Sequence, residues 1–199
     1  MQKRIVIASA NLGKIKEFQQ IFAQYNIDVV PQADLNVSEI EEPFSTFVEN
    51  SLHKARHCSR VTGLPALADD SGLCVTALGG APGIYSARYA GEPKSDQANI
   101  DKLLHELRDT QNRDAYFYCS LVFVRNSEDP QPIIAEGIFT GSIAEHPKGH
   151  NGHGYDPIFY VAEYKATAAE LEPNTKNEIS HRGKALNELR NKLINAKII

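Results

Sequence analysis

Hydrophobic positions along this chain switch between two periods, and the switches mark its elements. Arg4-Ile5-Val6-Ile7-Ala8-Ser9 is a continuous β-branched run, which predicts a first strand buried on both faces. Ile15, Phe18, Ile21, Phe22 and Tyr25 then recur at helical spacing and predict one apolar helix face. Ile27-Asp28-Val29-Val30 predicts the next strand, and Pro31 through Pro43 an acidic connection holding Glu39, Glu41 and Glu42. Thr46 with Glu49 has the form of a capping box, so a helix begins there, runs to about Thr62 and stops at Gly63 and Pro65.

Beyond that helix two apolar runs, Leu64 to Ala68 and Leu73 to Val75, flank Asp69-Asp70-Ser71-Gly72. Ser-Gly is a turn signal, so the pattern reads as strand, tight turn, strand with both carboxylates at the turn. Ser95 caps a helix with Ile100, Leu103, Leu104 and Leu107 inward. Tyr116 to Arg125 predicts a long strand, Ile133 to Glu145 two short strands broken at Gly141, and Ile158 to Val161 another. Thr175 with Glu178 predicts a last capping box, opening a helix that Leu186, Leu189 and Leu193 carry to the C-terminus. Strands interleaved with helices place the chain in the α/β class. Without a repeat, linker or low-complexity tract, residues 1–199 read as a single domain.

Composition narrows the function classes. A hydrophobic fraction of 42% with 23% charged residues is that of an ordinary soluble domain. The net charge of −4 lacks the basic footprint of a general nucleic-acid binder, though it leaves room for a local basic pocket. Cys58, Cys74 and Cys119 are odd in number and follow no metal-ligand spacing, so they read as buried thiols in a reducing compartment. The apolar run after Met1-Gln2-Lys3-Arg4 is too short for a signal or membrane segment. The expectation is a cytoplasmic protein with neither membrane nor nucleic acid as partner.

Chemistry concentrates at a few points. Ser9-Ala10-Asn11-Leu12-Gly13-Lys14 leads from a strand into a helix, where backbone N–H groups and the helix dipole favour an anion; an ordinary capped helix start is the other reading. Asp69, Asp70 and Glu42 are carboxylates suited to a divalent cation. Leu78 to Gly91 is glycine-dense yet keeps two Tyr and an Arg, as an ordered loop would. His146 to Pro157 is a second such loop; its three His suggest zinc only with a fourth ligand from elsewhere, and Gly154-Tyr155 suggests close approach to a flat ligand. His53 and His57, one helical turn apart, lack a third ligand and read as a solvated face. Lys176, His181 and Arg182 gather cations in the first turns of the last helix, against the dipole, which fits an anionic or acceptor-rich ligand. With Lys14 and Lys54 added, the inventory is that of a metal-bound nucleoside polyphosphate.

Five motifs in order make a specific resemblance: Ser9-x-Asn11-x-x-Lys14, Ala68-Asp69-Asp70-Ser71-Gly72-Leu73, Gly80 through Arg88, Gly154-Tyr155-Asp156-Pro157, and Ser180-His181-Arg182-Gly183-x-Ala185. Together they resemble the inosine triphosphate pyrophosphatase family, the XTP/dITP diphosphatases, over nearly the whole chain. The resemblance implies a long mixed β-sheet flanked by helices, in two lobes with a nucleotide-binding cleft between them, and a homodimer. It implies Mg²⁺-dependent hydrolysis of ITP, dITP or XTP to the nucleoside monophosphate and pyrophosphate, clearing them from the nucleotide pool. By position, Ser9 to Lys14 would bind phosphates with Lys54. Glu42 and Asp70 would hold Mg²⁺, with Asp70 also the base that activates water. Ser71, Lys176, His181 and Arg182 would contact the nucleotide, and His153-Gly154-Tyr155-Asp156 would line the base pocket.

One position departs from the pattern: His153 stands where the family usually carries a Phe or Trp that stacks on the purine. Imidazole offers less stacking area and a titratable charge, so base affinity is the property affected. Two further readings stand beside the hydrolase. A nucleotide-binding regulatory module without turnover is opposed by the Asp69-Asp70 pair and Glu42. A pyrophosphatase acting on modified pyrimidines is opposed by Ser180-His181-Arg182.

Overall fold

The computed structural model describes residues 3–9 and 11–199. Met1, Gln2 and Ala10 lie outside the described residues, as do the side chains of Leu12 and Ile21. The elements in chain order are β1 (Lys3–Ala8), α1 (Leu12–Ala23), β2 (Ile27–Pro31), α2 (Phe47–Thr62), β3 (Ala66–Val75), α3 (Asp96–Glu106), β4 (Asp114–Val124), β5 (Ile133–Ile143), β6 (Phe159–Val161), β7 (Ala166–Thr167), α4 (Pro173–Ile179) and α5 (His181–Asn195). Among the described residues seven strands form a sheet in the order β2-β1-β3-β4-β5-β6-β7. It is mixed: β1 runs parallel to β2 and β3, while β5–β6 and β6–β7 are antiparallel. This is the expected α/β class.

The chain packs as two compact units. The first comprises residues 1–70, 120–136 and 186–199, the second 71–119 and 137–185. The core of the first is built from small and β-branched side chains, among them Val6, Ala8, Ala55, Cys58, Ala66, Ala68, Val122 and Val124. β1 lies between two parallel neighbours, which is why Ile5 to Ala8 reads as an unbroken apolar run. α2 begins as expected, with the Thr46 hydroxyl accepting from the Glu49 N–H. It ends at Gly63, whose φ of +68° is the left-handed conformation glycine adopts without strain. The core of the second unit is larger-grained, with Leu73, Leu103, Leu107, Phe117, Phe139, Tyr155 and Phe159. The Phe159 ring packs on both Phe117 and Phe139, at centroid distances of 4.6 and 5.0 Å. All three cysteines are free and buried, and burial pushes the Cys58 thiol up to about 11.

Three expectations from local signals are corrected. β3 is one strand of 10 residues running straight through Asp69, Asp70, Ser71 and Gly72, with no turn at Ser71-Gly72. The Ser86 hydroxyl accepts from the Leu73 N–H, so the glycine-dense loop takes up backbone that a turn would have folded on itself. β5 likewise continues through Gly141. That glycine makes room: a Cβ there would lie 2.7 Å from the Phe159 ring and 2.6 Å from the Tyr160 carbonyl oxygen. The C-terminal helix is two helices broken at Ser180, and Thr175 sits inside α4 with Glu172 as the N-cap residue. Ser180 has extended backbone (ψ 159°), and its hydroxyl accepts from the Gly183 N–H, so the residue that caps α5 is Ser180. No helix is long and apolar enough to cross a membrane among the described residues.

Candidate active site

In the first unit the predicted phosphate loop is a capped helix start. Asn11 Oδ1 accepts from the Lys14 N–H at 3.1 Å, the Asn11 N–H donates to Ser9 Oγ, and the Asn11 carbonyl takes the first helical bond from Ile15. The first N–H groups of a helix have no acceptor within it, and here they surround the short residue Gly13. The segment is thus a capped helix start at the positively polarised end of α1.

β3 brings the two carboxylates to this end of the unit. Successive strand residues project to opposite sides, and Asp69 and Asp70 accordingly meet different partners. Asp69, 2% exposed, accepts from Lys14 Nζ at 2.7 Å. Asp70 lies 3.9 Å from Lys54 Nζ and accepts from Asn50 Nδ2 at 3.3 Å. Lys54 also donates to Glu42, so that one ammonium is shared by carboxylates from β3 and from the acidic connection. Burial raises the Asp70 carboxyl to about 6; Lys54 and the Asn50 amide work against that shift, while Glu42 and Asp69 add to it. Burial acts to lower the Lys54 pKa, but Asp69, Asp70 and Glu42 together outweigh it and raise the group.

The donor set suits a hard cation. Glu42 and Asp70 converge on one ammonium, so a divalent ion in its place would meet oxygen ligands of both. No three His, Cys, Asp or Glu side chains form a closed metal cage among the described residues. Glu42 and Asp70 supply two carboxylates, a number that a hard divalent cation accepts while completing its shell with water and phosphate.

In the second unit the residues expected to line a base pocket are tied together by hydrogen bonds. Asp156 is 3% exposed; its Oδ2 accepts from the His153 N–H at 2.8 Å and from Lys176 Nζ. The Gly154 N–H donates to Asp96 at the start of α3, and the Tyr155 hydroxyl to the Ser86 carbonyl. The loop is thus tied at three consecutive residues. Gly152 is required: at φ +80° its missing Cβ would sit 2.1 Å from Asp156 Oδ2. His153 exposes much of its surface, yet nearby chain removes enough solvent to lower the imidazole pKa. Lys176 and Arg182 reinforce that shift against Asp156 and Asp96. His181 opens α5 and stacks on Phe117 at 4.9 Å and 14°. Arg182, half-buried, follows it in the first turn, and Ser71 is half-buried on β3.

The structure therefore brings Lys14, Glu42, Lys54, Asp69 and Asp70 together in one unit, and His153 to Asp156 with Lys176 in the other. Ala10 lies outside the described residues, and Leu12 is described only as the first backbone position of α1. Sequence reasoning missed Asn50 and Asp96. Asn50 carried one usable signal, its place one turn before Lys54 on α2.

A model of the Ham1 family matches residues 5–192. The chain is 57% identical to the dITP/XTP pyrophosphatase of Burkholderia pseudomallei, over 94% of this chain and 92% of that protein. It is 53% identical to the dITP/XTP pyrophosphatase of Chromobacterium violaceum, over 97% and 98% of the two chains. The solved structure of a HAM1 protein from Coxiella burnetii superposes with a TM-score of 0.95 at 49% identity, covering 97% of this chain and 99% of that one.

Proposed function

This chain belongs to the Ham1 family, and on that premise we propose that it hydrolyses non-canonical purine nucleoside triphosphates (dITP, XTP and ITP) to the monophosphate and pyrophosphate. The observation that carries the reading is the lysine–carboxylate cluster beside the α1 N-terminus. Its three carboxylates and two ammonium groups pair with one another and leave one net negative charge when all are ionised. A triphosphate with a divalent cation offers each set a better partner: phosphate oxygens for Lys14 and Lys54, a cation for Glu42 and Asp70.

We assign the roles accordingly. Lys14, Ser9, Asn11 and the first N–H groups of α1, Gly13 included, hold phosphate oxygens by charge and hydrogen bonds. Lys54 is released from Glu42 to the phosphate chain. Asp70 accepts a proton from the attacking water, a task that suits a carboxyl near 6 because it is ionised at neutral pH yet basic enough to take a proton. Glu42 and Asp70 would hold Mg²⁺, which when bound draws charge from the phosphate oxygens and from the departing pyrophosphate. In the second unit Ser71, Lys176, His181 and Arg182 contact the nucleotide, and His153, Gly154, Tyr155 and Asp156 line the base pocket.

We take all 199 residues as one catalytic domain, because the chain passes between the two units repeatedly and neither is a contiguous stretch of sequence. Three buried free thiols support a reducing, cytoplasmic setting. Family membership supports a homodimer, and light scattering checks it. The decisive assay incubates the protein with dITP and Mg²⁺ and identifies products. Equal amounts of dIMP and pyrophosphate are expected, whereas release of orthophosphate with dIDP would overturn the reading.

A further inference from the structure

Asn50 is 1% exposed and has no role in the chemistry described above. Its side chain makes three hydrogen bonds within the first unit. Its Oδ1 accepts from the Phe44 N–H at 3.0 Å, and its Nδ2 donates to the Phe44 carbonyl at 3.2 Å and to Asp70 Oδ2 at 3.3 Å. The two bonds to Phe44 satisfy both backbone groups of one residue, as a neighbouring strand would. They fall in residues 37–46, a stretch without helix or strand that carries Glu42 two positions earlier. One turn further along α2, Lys54 reaches Glu42 and Asp70. A single helix face therefore fastens the Glu42 segment and the Asp70 carboxylate to each other.

We propose that Asn50 is a positioning residue that sets the spacing of Glu42 and Asp70, so that the two carboxylates are pre-assembled for a divalent cation before nucleotide binds. This rests on the cation-holding role given above to Glu42 and Asp70. An irregular segment has no ladder to fix it, and without the amide its carboxylate would be ordered only at the moment of metal binding. That ordering would then be taken from the affinity. Groups that orient metal ligands from outside the coordination shell typically change affinity by about 10–100-fold when removed.

The test compares wild type with Asn50→Leu, which keeps the approximate volume and deletes all three bonds, and with Asn50→Asp, which keeps the acceptor for Phe44 and loses the donor to Asp70. Mn²⁺ uptake by the substrate-free protein is followed by electron paramagnetic resonance of the free ion. Mg²⁺ activation of dITP hydrolysis is measured in parallel, with thermal unfolding to establish the folded fraction. For Asn50→Leu the expected result is a metal midpoint raised about tenfold or more, with kcat at saturating metal recovering to within about threefold. A merely structural role would lower the melting temperature and the active fraction and leave the metal midpoint where it was; that result overturns the inference. Should Asn50→Leu fail to fold, Asn50→Asp carries the comparison, and an unshifted Mn²⁺ midpoint there overturns it equally. If wild type hydrolyses dITP with metal but takes up no Mn²⁺ alone, pre-assembly is wrong and the proposed function stands. If wild type shows neither, the metal reading of Glu42 and Asp70 fails and takes this inference with it.

Discussion

Lys14 Nζ lies 2.7 Å from Asp69 Oδ2, and the Asp69 side chain exposes only 2% of its surface. The lysine that closes the predicted phosphate loop is therefore anchored on β3, and α1 is pinned to the sheet at its N-terminal end. Exposed ion pairs contribute about 0.2–1 kcal/mol, but this one is largely shielded from solvent and salt. A double-mutant cycle with Lys14→Met and Asp69→Asn, read by urea unfolding, should give a coupling above about 1 kcal/mol. A coupling near zero would mean that the contact contributes nothing to holding the loop.

Asp70→Asn should separate activity from stability. Loss of a base or metal ligand predicts a fall in kcat of at least about a hundredfold. Folding should not suffer, because the buried Asp70 carboxyl, raised from 3.8 to about 6, is least comfortable when ionised. Between those values the folded protein binds more protons than the unfolded chain, so this group's contribution to stability is fully present below about pH 4. It is lost as pH rises through about 6. In chelator, wild type should lose up to about 3 kcal/mol across that window through this group, and Asp70→Asn should flatten the slope. An unchanged slope in the variant would place the pH dependence elsewhere.

How much of this was legible beforehand follows from what each feature depends on. The carboxylates and lysines are themselves the chemistry, so Glu42, Lys14, Lys54 and Asp70 could be named from residue type, spacing and resemblance. Their pairing could not be, since Lys14–Asp69 spans 55 positions and arises only when β1 and β3 lie side by side. Local signals failed where a distant partner overruled them. Ser71-Gly72 has a turn composition, but the Leu73 N–H found the Ser86 hydroxyl and the strand continued. Gly141 has the composition of a break, although its bare Cα is needed by the Phe159 ring. Thr175 and Glu178 match a capping box by spacing, while the cap that formed is Ser180 with Gly183. Asn50 can be placed on this helix from sequence, but a polar residue on a polar helix carries no periodic signal of burial.

Two glycines of the His153 loop should respond differently to alanine. Both Gly152 and Gly154 have positive φ, at +80° and +61°, so each substitution incurs backbone strain of about 1 kcal/mol or more. At Gly154 a Cβ meets nothing within 4 Å, whereas at Gly152 it would lie 2.1 Å from Asp156 Oδ2 and 2.7 Å from Lys176 Nζ. Gly152→Ala must displace that ion pair and with it the His153 N–H. Its KM for dITP should rise about tenfold or more while kcat changes less, and Gly154→Ala, which leaves the Asp156–Lys176 pair in place, should raise KM by a smaller factor. Equal kinetics for the two variants would remove Asp156–Lys176 from the base pocket.

Base choice should depend on the first turn of α5. Arg182 there can donate hydrogen bonds to the 6-oxo group of hypoxanthine or xanthine, while the 6-amino group of adenine presents donors to the same place. Donor against donor leaves both unsatisfied, and a closed site built on such groups discriminates by about 10⁴; a partly open one discriminates less. ATP should therefore be a poor substrate, and Arg182→Ala should narrow the ITP/ATP ratio of kcat/KM by lowering the ITP value. His153→Phe should act differently: a larger ring stacks on any purine, so affinity for all of them should change together. The two variants thus test different contacts of one base, an edge and a face. If Arg182→Ala leaves the ITP/ATP ratio untouched, Arg182 does not read the base, and discrimination belongs to the backbone around Ser180 and His181 instead.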